Sequence, residues 1–273
     1  RFASHLTDVA AHGGIYRKNL LHNWDFRKPV NQRGLTSYSN VMYTIDRWLW
    51  TVAVPTRSIA VNSGYVTITN NAGTTGIFGQ KLEALELGTY TLSVQFSDNT
   101  VESRTLTWDG STLTEQATSF GALSLRLVDG FPTFAIGIGA GKSINVKAVK
   151  LEKGNVSTLA NDPNADFGEQ LALCQRYQVV PKNEWFARAS IIATNAIYFD
   201  VPTPAELRTN PTVTGTPQVF TVNNAEQTGF TFSYSKRLNL SVLRVIATKA
   251  SHGLTDAIIR LAPVNGIIID ANL

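Results

Sequence analysis

The chain is poor in cysteine, since Cys174 is the only one among its 273 residues. A single cysteine cannot close an internal disulfide, so stability has to come from the hydrophobic core or from partner subunits. Nothing in this composition requires an oxidising compartment. Assembly in a bacterial cytoplasm fits the sequence.

Long apolar stretches are missing as well. No run approaches the roughly 18 residues that a membrane-spanning helix needs, so we do not expect membrane insertion. The chain opens with RFASHLTDV, without an initiating Met and without the apolar segment of a signal peptide. This start predicts that the sequence is the C-terminal part of a longer protein.

The chain has no large excess of charge of one sign. It carries 24 basic and 20 acidic side chains, which leaves a net charge of +4. The basic residues are scattered and do not alternate with aromatic side chains, so a nucleic-acid partner is not expected.

Motifs of common enzymes are also missing. The sequence contains no G-x-S-x-G, no HExxH and no cluster of Cys and His, and its four histidines are dispersed. Cleavage of a polysaccharide would need two carboxylates facing each other across a groove, and the sequence singles out no such pair. We therefore predict a protein without catalytic activity and without a cofactor.

One glycine-rich segment invites a different interpretation. GIGAGKS, residues 137–143, ends like a phosphate-binding loop, but Ile136 stands where that motif needs its first glycine. The segment lies between two predicted strands and no helix is predicted after it. We predict a glycine-rich hairpin.

Residues 19–160 carry the pattern of an antiparallel sandwich. Polar and apolar residues alternate along the predicted strands, which cover residues 65–69, 89–96, 123–127 and 144–151. Turn signals such as Asp129-Gly130 fall between them. A jelly-roll similar to a carbohydrate-binding module fits this spacing.

Residues 161–180 form a predicted linker and a short amphipathic helix. The linker is polar and contains Pro163, and Asp166 is placed to cap the helix. Phe167, Leu171 and Cys174 recur at helical spacing and give the helix an apolar face. A helix this short has to pack on a sandwich or on its own copies in an oligomer.

Residues 181–273 return to the β pattern and predict a second β-sandwich. The predicted strands cover residues 191–199, 212–214, 218–222, 228–234, 240–247 and 257–262. Prolines punctuate the region at turn or edge positions. The fold class is therefore all-β, with two antiparallel sandwiches joined by one short helix.

Residues 1–18 are predicted to form a short stalk or collar. Phe2, Leu6 and Val9 have the spacing of a coiled-coil seam over barely one heptad. His5 and His12 are seven residues apart and share a heptad position. Two interpretations stay open: a tail with solvated histidines, or a trimeric stalk whose histidines hold an ion on the axis.

Three segments resemble the C-terminal region of phage tail-fibre and prophage receptor-binding proteins. The first is NLLHNWDFRKPVNQRG, followed by YTIDRW. The second is the joint, in which LEKG and a linker precede GEQLALCQRYQ, and the third is VPTPAELRTNPTVTGT. The resemblance covers roughly two-thirds of the chain. It implies a homotrimeric fibre tip in a virion, attached to the rest of the fibre and acting outside the cell. Its partner would be a bacterial surface polysaccharide or cell-wall glycan.

Three other functions remain alternatives. A carbohydrate-binding module of a secreted glycoside hydrolase predicts a monomer with an aromatic platform. A capsule depolymerase predicts turnover and an acidic groove, and a structural virion decoration binds only other virion proteins. The light-scattering mass of the fragment separates the monomer from the trimer.

Glycan binding predicts exposed aromatic rings, because sugars offer flat C–H faces. In the first sandwich Trp24, Trp48 and Trp50 are predicted to be buried in the core. Trp108 precedes Asp109-Gly110 at a predicted hairpin tip and is the glycan-binding candidate of this region.

The second sandwich has its own glycan-binding candidates near predicted turns: Trp185, Tyr198, Tyr234, Arg237 and His252. Amphipathic rings and Arg carry much of the binding energy at recognition surfaces. The distal position of this region in a fibre favours it as the receptor-binding part.

The NLL start and the LEKG end also resemble galactose-binding modules, some of which hold a structural calcium ion. That resemblance makes Asp25 and Glu152 candidate ligands, since calcium takes oxygen ligands. The alternative is that both are ordinary carboxylates in salt bridges.

Overall fold

The computed structural model describes residues 17–111, 113–237, 240–262 and 266–272. His5 and His12, with most of the predicted stalk, lie outside the described residues. The chain divides into two compact units, with the boundary between Gln170 and Leu171. All strand pairs among the described residues are antiparallel, which confirms the predicted all-β fold with sandwich architecture.

The described part of the first unit forms eleven strands in two sheets. One sheet has the order β1-β3-β4-β11-β6-β7 and the other has the order β2-β5-β10-β9-β8. The strands are β1 (Ser37–Ser39), β2 (Leu49–Trp50), β3 (Arg57–Asn62), β4 (Tyr65–Asn70), β5 (Gly76–Lys81), β6 (Gly88–Phe96), β7 (Val101–Trp108), β8 (Thr114–Thr118), β9 (Gly121–Val128), β10 (Phe131–Ile138) and β11 (Lys142–Lys153).

The inner faces of these two sheets enclose a core built around Trp48. Its ring stacks on Phe78 at a centroid distance of 5.4 Å and meets the edges of Phe26 and Phe134 at 5.1 and 6.0 Å. Its indole N–H donates to the backbone oxygen of Asn23 at 2.9 Å, so the buried ring leaves no polar atom unpaired. Trp24, Trp48 and Trp50 are all buried, which confirms their predicted place in the core.

The turn between β9 and β10 shows how the local sequence sets the register. Asp129 and Gly130 both have positive φ, 50° and 81°, as a tight two-residue hairpin turn requires. Phe131 therefore pairs with Val128.

Two predicted hairpins are connections between the sheets instead. The glycine-rich segment 137–143 joins β10 to β11, and the Asp109-Gly110 segment joins β7 to β8. In both cases the two strands belong to different sheets and do not pair. The hairpin predictions were wrong, because alternation identifies strands but does not tell which strands become neighbours.

A short helix follows the first sandwich. Within the described residues, α1 (Phe167–Gln175) is the single α-helix, and a 3₁₀ turn covers Leu159–Asn161. Asp166 accepts the backbone N–H of Glu169 at 2.8 Å, as its predicted capping role requires. None of the described helices combines the length and the apolar character needed to cross a bilayer.

The second unit has shorter strands in two further sheets. One sheet has the order β12-β21-β15 and the other the order β17-β16-β20-β13-β14-β19-β18. The strands are β12 (Gln178–Val179), β13 (Trp185–Ile192), β14 (Ala196–Pro202), β15 (Thr212–Thr214), β16 (Gln218–Phe220), β17 (Glu226–Gln227), β18 (Thr231–Lys236), β19 (Val242–Thr248), β20 (Ile258–Leu261) and β21 (Ile268–Asp270). The predicted strand over residues 191–199 was wrong, since it spans the end of β13, a turn and most of β14.

The seven-stranded sheet folds over on itself. Its β13 pairs with β20 up to Arg188 and with β14 from Ala189 onward, and it carries a bulge between Ala189 and Ile191. Buried residues from both halves of the sheet, such as Phe199 and Ile259, belong to one core cluster. The two edge strands β17 and β18 are separated only by residues 228–230, so chain length alone keeps their ends close together.

Candidate functional site

A cavity of about 340 Å³ lies where the two edges of the folded sheet approach each other. Its wall is formed by residues of the edge strands β17 and β18, by the segment between them, and by the start of β16 with the two residues before it. The lining consists of Thr216, Pro217, Gln218, Glu226, Gln227, Thr228, Gly229, Phe230 and Phe232, and we call this cavity the edge pocket.

Two phenylalanines supply the apolar part of the edge pocket. Phe230 and Phe232 are half-buried and pack against the core cluster of the second unit. Contact with the core restricts the movement of both rings, and part of each ring remains exposed. A fixed and partly exposed aromatic surface can hold the C–H face of a ligand at low cost in side-chain entropy.

Phe230 is flanked by two polar side chains. The ammonium of Lys249 lies 5.5 Å from the ring centroid and donates to the backbone oxygen of Thr228 at 2.9 Å. The ring of His252 lies at a centroid distance of 6.1 Å. These neighbours hold the 228–230 segment in place beside the pocket.

Three polar side chains form a hydrogen-bonded chain that ends in the edge pocket. Arg260 donates from Nε to the Oε1 atom of Gln218 at 2.9 Å, and its terminal NH2 group contacts the same oxygen. Gln218 in turn donates from Nε2 to the Oε1 atom of Glu226 at 2.9 Å. The carboxylate of Glu226 is thereby held in the pocket wall.

A second polar cluster lies on the outer face of the same sheet. Asp200 accepts hydrogen bonds from Arg244 at 2.8 and 2.9 Å and from Arg237 at 3.1 Å. The hydrogen bonds from Arg244 hold the pKa of the Asp200 carboxyl below its usual value. The guanidinium of Arg244 also lies 5.7 Å from the Tyr198 ring centroid.

Trp108, the glycan-binding candidate of the first unit, is buried. Its side chain is 1% exposed and belongs to the core. The prediction of an exposed ring was wrong, because the Asp109-Gly110 segment passes from one sheet to the other and the ring enters the space between them. A buried ring cannot stack on a sugar.

The five candidates of the second unit do not form a single site. Tyr198 and Arg237 share the Asp200 cluster, whereas Trp185 and Tyr234 pack against the core. Tyr234 lies within β18 and not at a turn, and burial raises the pKa of its hydroxyl.

His252 lies beside the edge pocket and uses both ring nitrogens within the chain. Its Nδ1 accepts the N–H of Leu254 at 3.0 Å, so its Nε2 carries the hydrogen and donates to the oxygen of Ala193 at 2.6 Å. The ring can therefore support Phe230 but has no nitrogen left for a ligand.

The residues that line the edge pocket are not among the candidates predicted from the sequence. A signal for them is present in EQTGFTF, residues 226–232, where two phenylalanines two positions apart follow a glycine and two polar strand residues. The partners Gln218 and Arg260 are distant in sequence, and only strand pairing brings them together.

The candidate calcium ligands do not fit a metal site. Asp25 binds Arg27 through two hydrogen bonds of 2.6 and 2.8 Å and also accepts the N–H of Ala165 at 2.9 Å. Both oxygens of Glu152 accept hydrogen bonds from Thr158 at 2.8 Å. Among the described residues, no three His, Cys, Asp or Glu side chains group as metal ligands would.

The buried ammonium of Lys150 lies between the carboxylates of Glu152 and Asp162. Lys150 is fully buried and lies 2.6 Å from a carboxylate oxygen of Asp162 and 3.8 Å from one of Glu152. It also donates to the hydroxyl of Thr158 at 2.7 Å. This network connects the segment after β11 to the first sandwich. Glu152 is therefore an ordinary carboxylate in a salt bridge, the alternative given for it above.

No family model, curated protein or solved structure matches this chain.

Proposed function

We propose that this chain is the receptor-binding end of a phage or phage-tail-like fibre and that it recognises a bacterial surface glycan without cleaving it. The observation that carries the proposal is the edge pocket, which combines two aromatic rings with amide, hydroxyl and carboxylate groups. This combination suits a sugar, which has C–H faces for rings and hydroxyls for polar side chains. The fibre setting rests on the resemblance of the sequence.

The pocket lining favours binding over hydrolysis. Among its described lining residues Glu226 has the only carboxylate, whereas cleavage of a glycosidic bond by most hydrolases uses a pair of carboxylates. A site with two rings and few polar groups is expected to be weak on its own. Several copies in a homotrimer, which we propose as the working state, would add avidity.

Glycan binding is tested with a Phe230→Ala variant. We expect loss of binding to bacterial cells and to immobilised cell-wall glycans, measured by surface binding and by calorimetry. Leu240→Ala is the control, because Leu240 is 48% exposed in the same unit and does not line the pocket.

Equal binding by both variants and the unaltered protein would place the site elsewhere. Tyr198→Ala then tests the Asp200 cluster in the same assay. No binding of the unaltered protein to any glycan would overturn the proposal.

The oligomeric state is tested by light scattering on a sizing column. A mass near three times 29.8 kDa supports the fibre tip. A monomer that still binds glycan supports the carbohydrate-binding module of a secreted hydrolase instead.

A further inference from the structure

We propose that Glu226 determines the specificity of the edge pocket and that Gln218 and Arg260 position it. The pocket then takes an uncharged sugar residue with neighbouring hydroxyls and rejects sugars with acidic groups. This inference rests on the proposed function and adds the chemical class of the ligand.

The orientation of Gln218 follows from the chemistry of its partners. A guanidinium group has only donors, so the side chain of Arg260 can bind only the oxygen of the Gln218 amide. The NH2 group of that amide must then point the other way, where it meets Glu226 at 2.9 Å. A flipped amide would place donors against donors at Arg260.

Strand pairing supplies the positions of these three residues. Gln218 pairs directly with Arg260, and Glu226 pairs with Phe220, two residues along the same face from Gln218. Directly opposite and diagonal neighbours on one face of a sheet are within reach of long side chains. The arrangement is therefore set by the backbone and does not depend on a flexible loop.

Arg260 is itself held from other sides. Its guanidinium lies 5.2 Å from the ring centroid of Phe220 and 3.5 Å from a carboxylate oxygen of Glu184. With Gln218 as a third partner, the side chain has little freedom left. Because the guanidinium of Arg260 is fixed, it fixes the amide of Gln218. That amide in turn holds the carboxylate of Glu226 in position before a ligand binds.

The chemistry of a carboxylate selects the ligand. Its two oxygens are acceptors and can take hydrogen bonds from two neighbouring hydroxyls of one sugar ring. An acidic substituent would bring a like charge next to it, which is unfavourable at short distance. Among the described residues that line the pocket, Glu226 has the only acidic or basic side chain. The nearby ammonium of Lys249 donates to the backbone oxygen of Thr228.

The test compares neutral and acidic glycans on the full chain. The neutral probes are dextran, galactomannan and a chito-oligosaccharide, and the acidic probe is alginate. We expect the unaltered protein to bind at least one neutral probe and to discriminate against alginate. Glu226→Gln should weaken neutral binding roughly tenfold, as expected for lost hydrogen bonds to a charged group, and should reduce the discrimination.

The positioning role of Arg260 has its own variant. Arg260→Lys keeps the charge but loses the planar group that fixes Gln218, so we expect a smaller loss of neutral binding with the same reduced discrimination. Glu206→Gln is the control, since Glu206 pairs with Lys236 and does not line the pocket. Thermal unfolding of each variant verifies that it is folded.

The outcomes separate this inference from the proposed function. If the unaltered protein binds neutral glycans and Glu226→Gln binds them equally well, or if the protein prefers alginate, the inference is wrong and glycan binding stands. If the protein binds neither class, the proposed function and the inference fail together.

Discussion

The two units of the chain use their aromatic side chains in different ways. In the first unit the large rings, such as Trp48 and Trp108, are buried between two sheets. In the second unit Phe186 is 57% exposed, and Phe230 is half-buried at the rim of a pocket. Rings in the first unit therefore contribute to stability, whereas some rings in the second unit remain exposed to solvent.

The polar side chains show the same contrast between a buried first unit and a more exposed second unit. The first unit buries a complete network around Lys150, in which each charged group has a partner. The second unit keeps its polar chain, from Arg260 to Glu226, at a pocket that opens to solvent. The comparison predicts that substitutions in the first unit change stability and that substitutions at the pocket change binding.

The largest effect is expected for Trp108→Ala. Removal of a fully buried ring leaves a cavity and should lower the free energy of unfolding by about 4 kcal/mol. Urea denaturation measures this loss. Trp185→Ala, at a half-buried ring of the second unit, should cost about half as much.

If Trp108→Ala and Trp185→Ala lowered the free energy of unfolding equally, the proposed difference between the two units would be wrong. Reduced glycan binding by a folded Trp108→Ala variant would restore the sequence-based prediction for this residue.

The next effect is expected for Lys150→Met. The variant leaves two buried carboxylates without their cation, and it should lower the free energy of unfolding by about 3 kcal/mol. Chemical denaturation measures the change. The double variant with Asp162→Asn should regain part of the lost stability, because that change removes one of the two unpaired buried charges.

Lys153→Met is the matched control for this prediction. Lys153 forms an exposed ion pair with Glu86, and its loss should leave stability unchanged. If both lysine variants lowered the free energy of unfolding by a similar amount, the buried network would contribute no more to stability than the exposed ion pair.

A smaller and pH-dependent effect is expected for Asp200→Asn. The hydrogen bonds from Arg244 lower the pKa of Asp200 in the folded state, so its contribution to stability is present above its usual value of 3.8. The contribution should be about 1 kcal/mol at neutral pH, since the group is partly exposed. It should disappear as the pH falls through the folded-state pKa, which unfolding curves of both proteins can follow.

Asp46 in the first unit provides the opposite case. Burial raises the pKa of its carboxyl in the folded state, against hydrogen bonds from Gln32 that lower it. Its contribution to stability is therefore present at low pH and is lost as the pH rises through the folded-state pKa. The stability difference between the unaltered protein and Asp46→Asn should change with pH in the direction opposite to that of Asp200→Asn.

The smallest effect is expected from metal removal. The oxygens of Asp25 and Glu152 are occupied by Arg27 and Thr158, so excess chelator should leave the Tm unchanged. A drop in Tm that added calcium reverses would show that a metal displaces these partners.

The sequence by itself determined the all-β fold and much of its detail. Alternation along residues 89–96 and 144–151 marks real strands, and Asp129-Gly130 forms the turn that its residue types predict. Asp166 caps the helix, and Trp24, Trp48 and Trp50 are in the core. These features depend on residues close in sequence, where steric limits and side-chain periodicity act directly.

Only the tertiary structure decided which strands are neighbours. That choice buries Trp108, turns two predicted hairpins into connections between sheets, and brings Gln218, Glu226 and Arg260 to one pocket. Pairing between distant strands depends on how all the apolar faces pack together, and no local pattern encodes it. The candidate site could not be predicted for the same reason, because it lies where the two edges of one folded sheet approach each other.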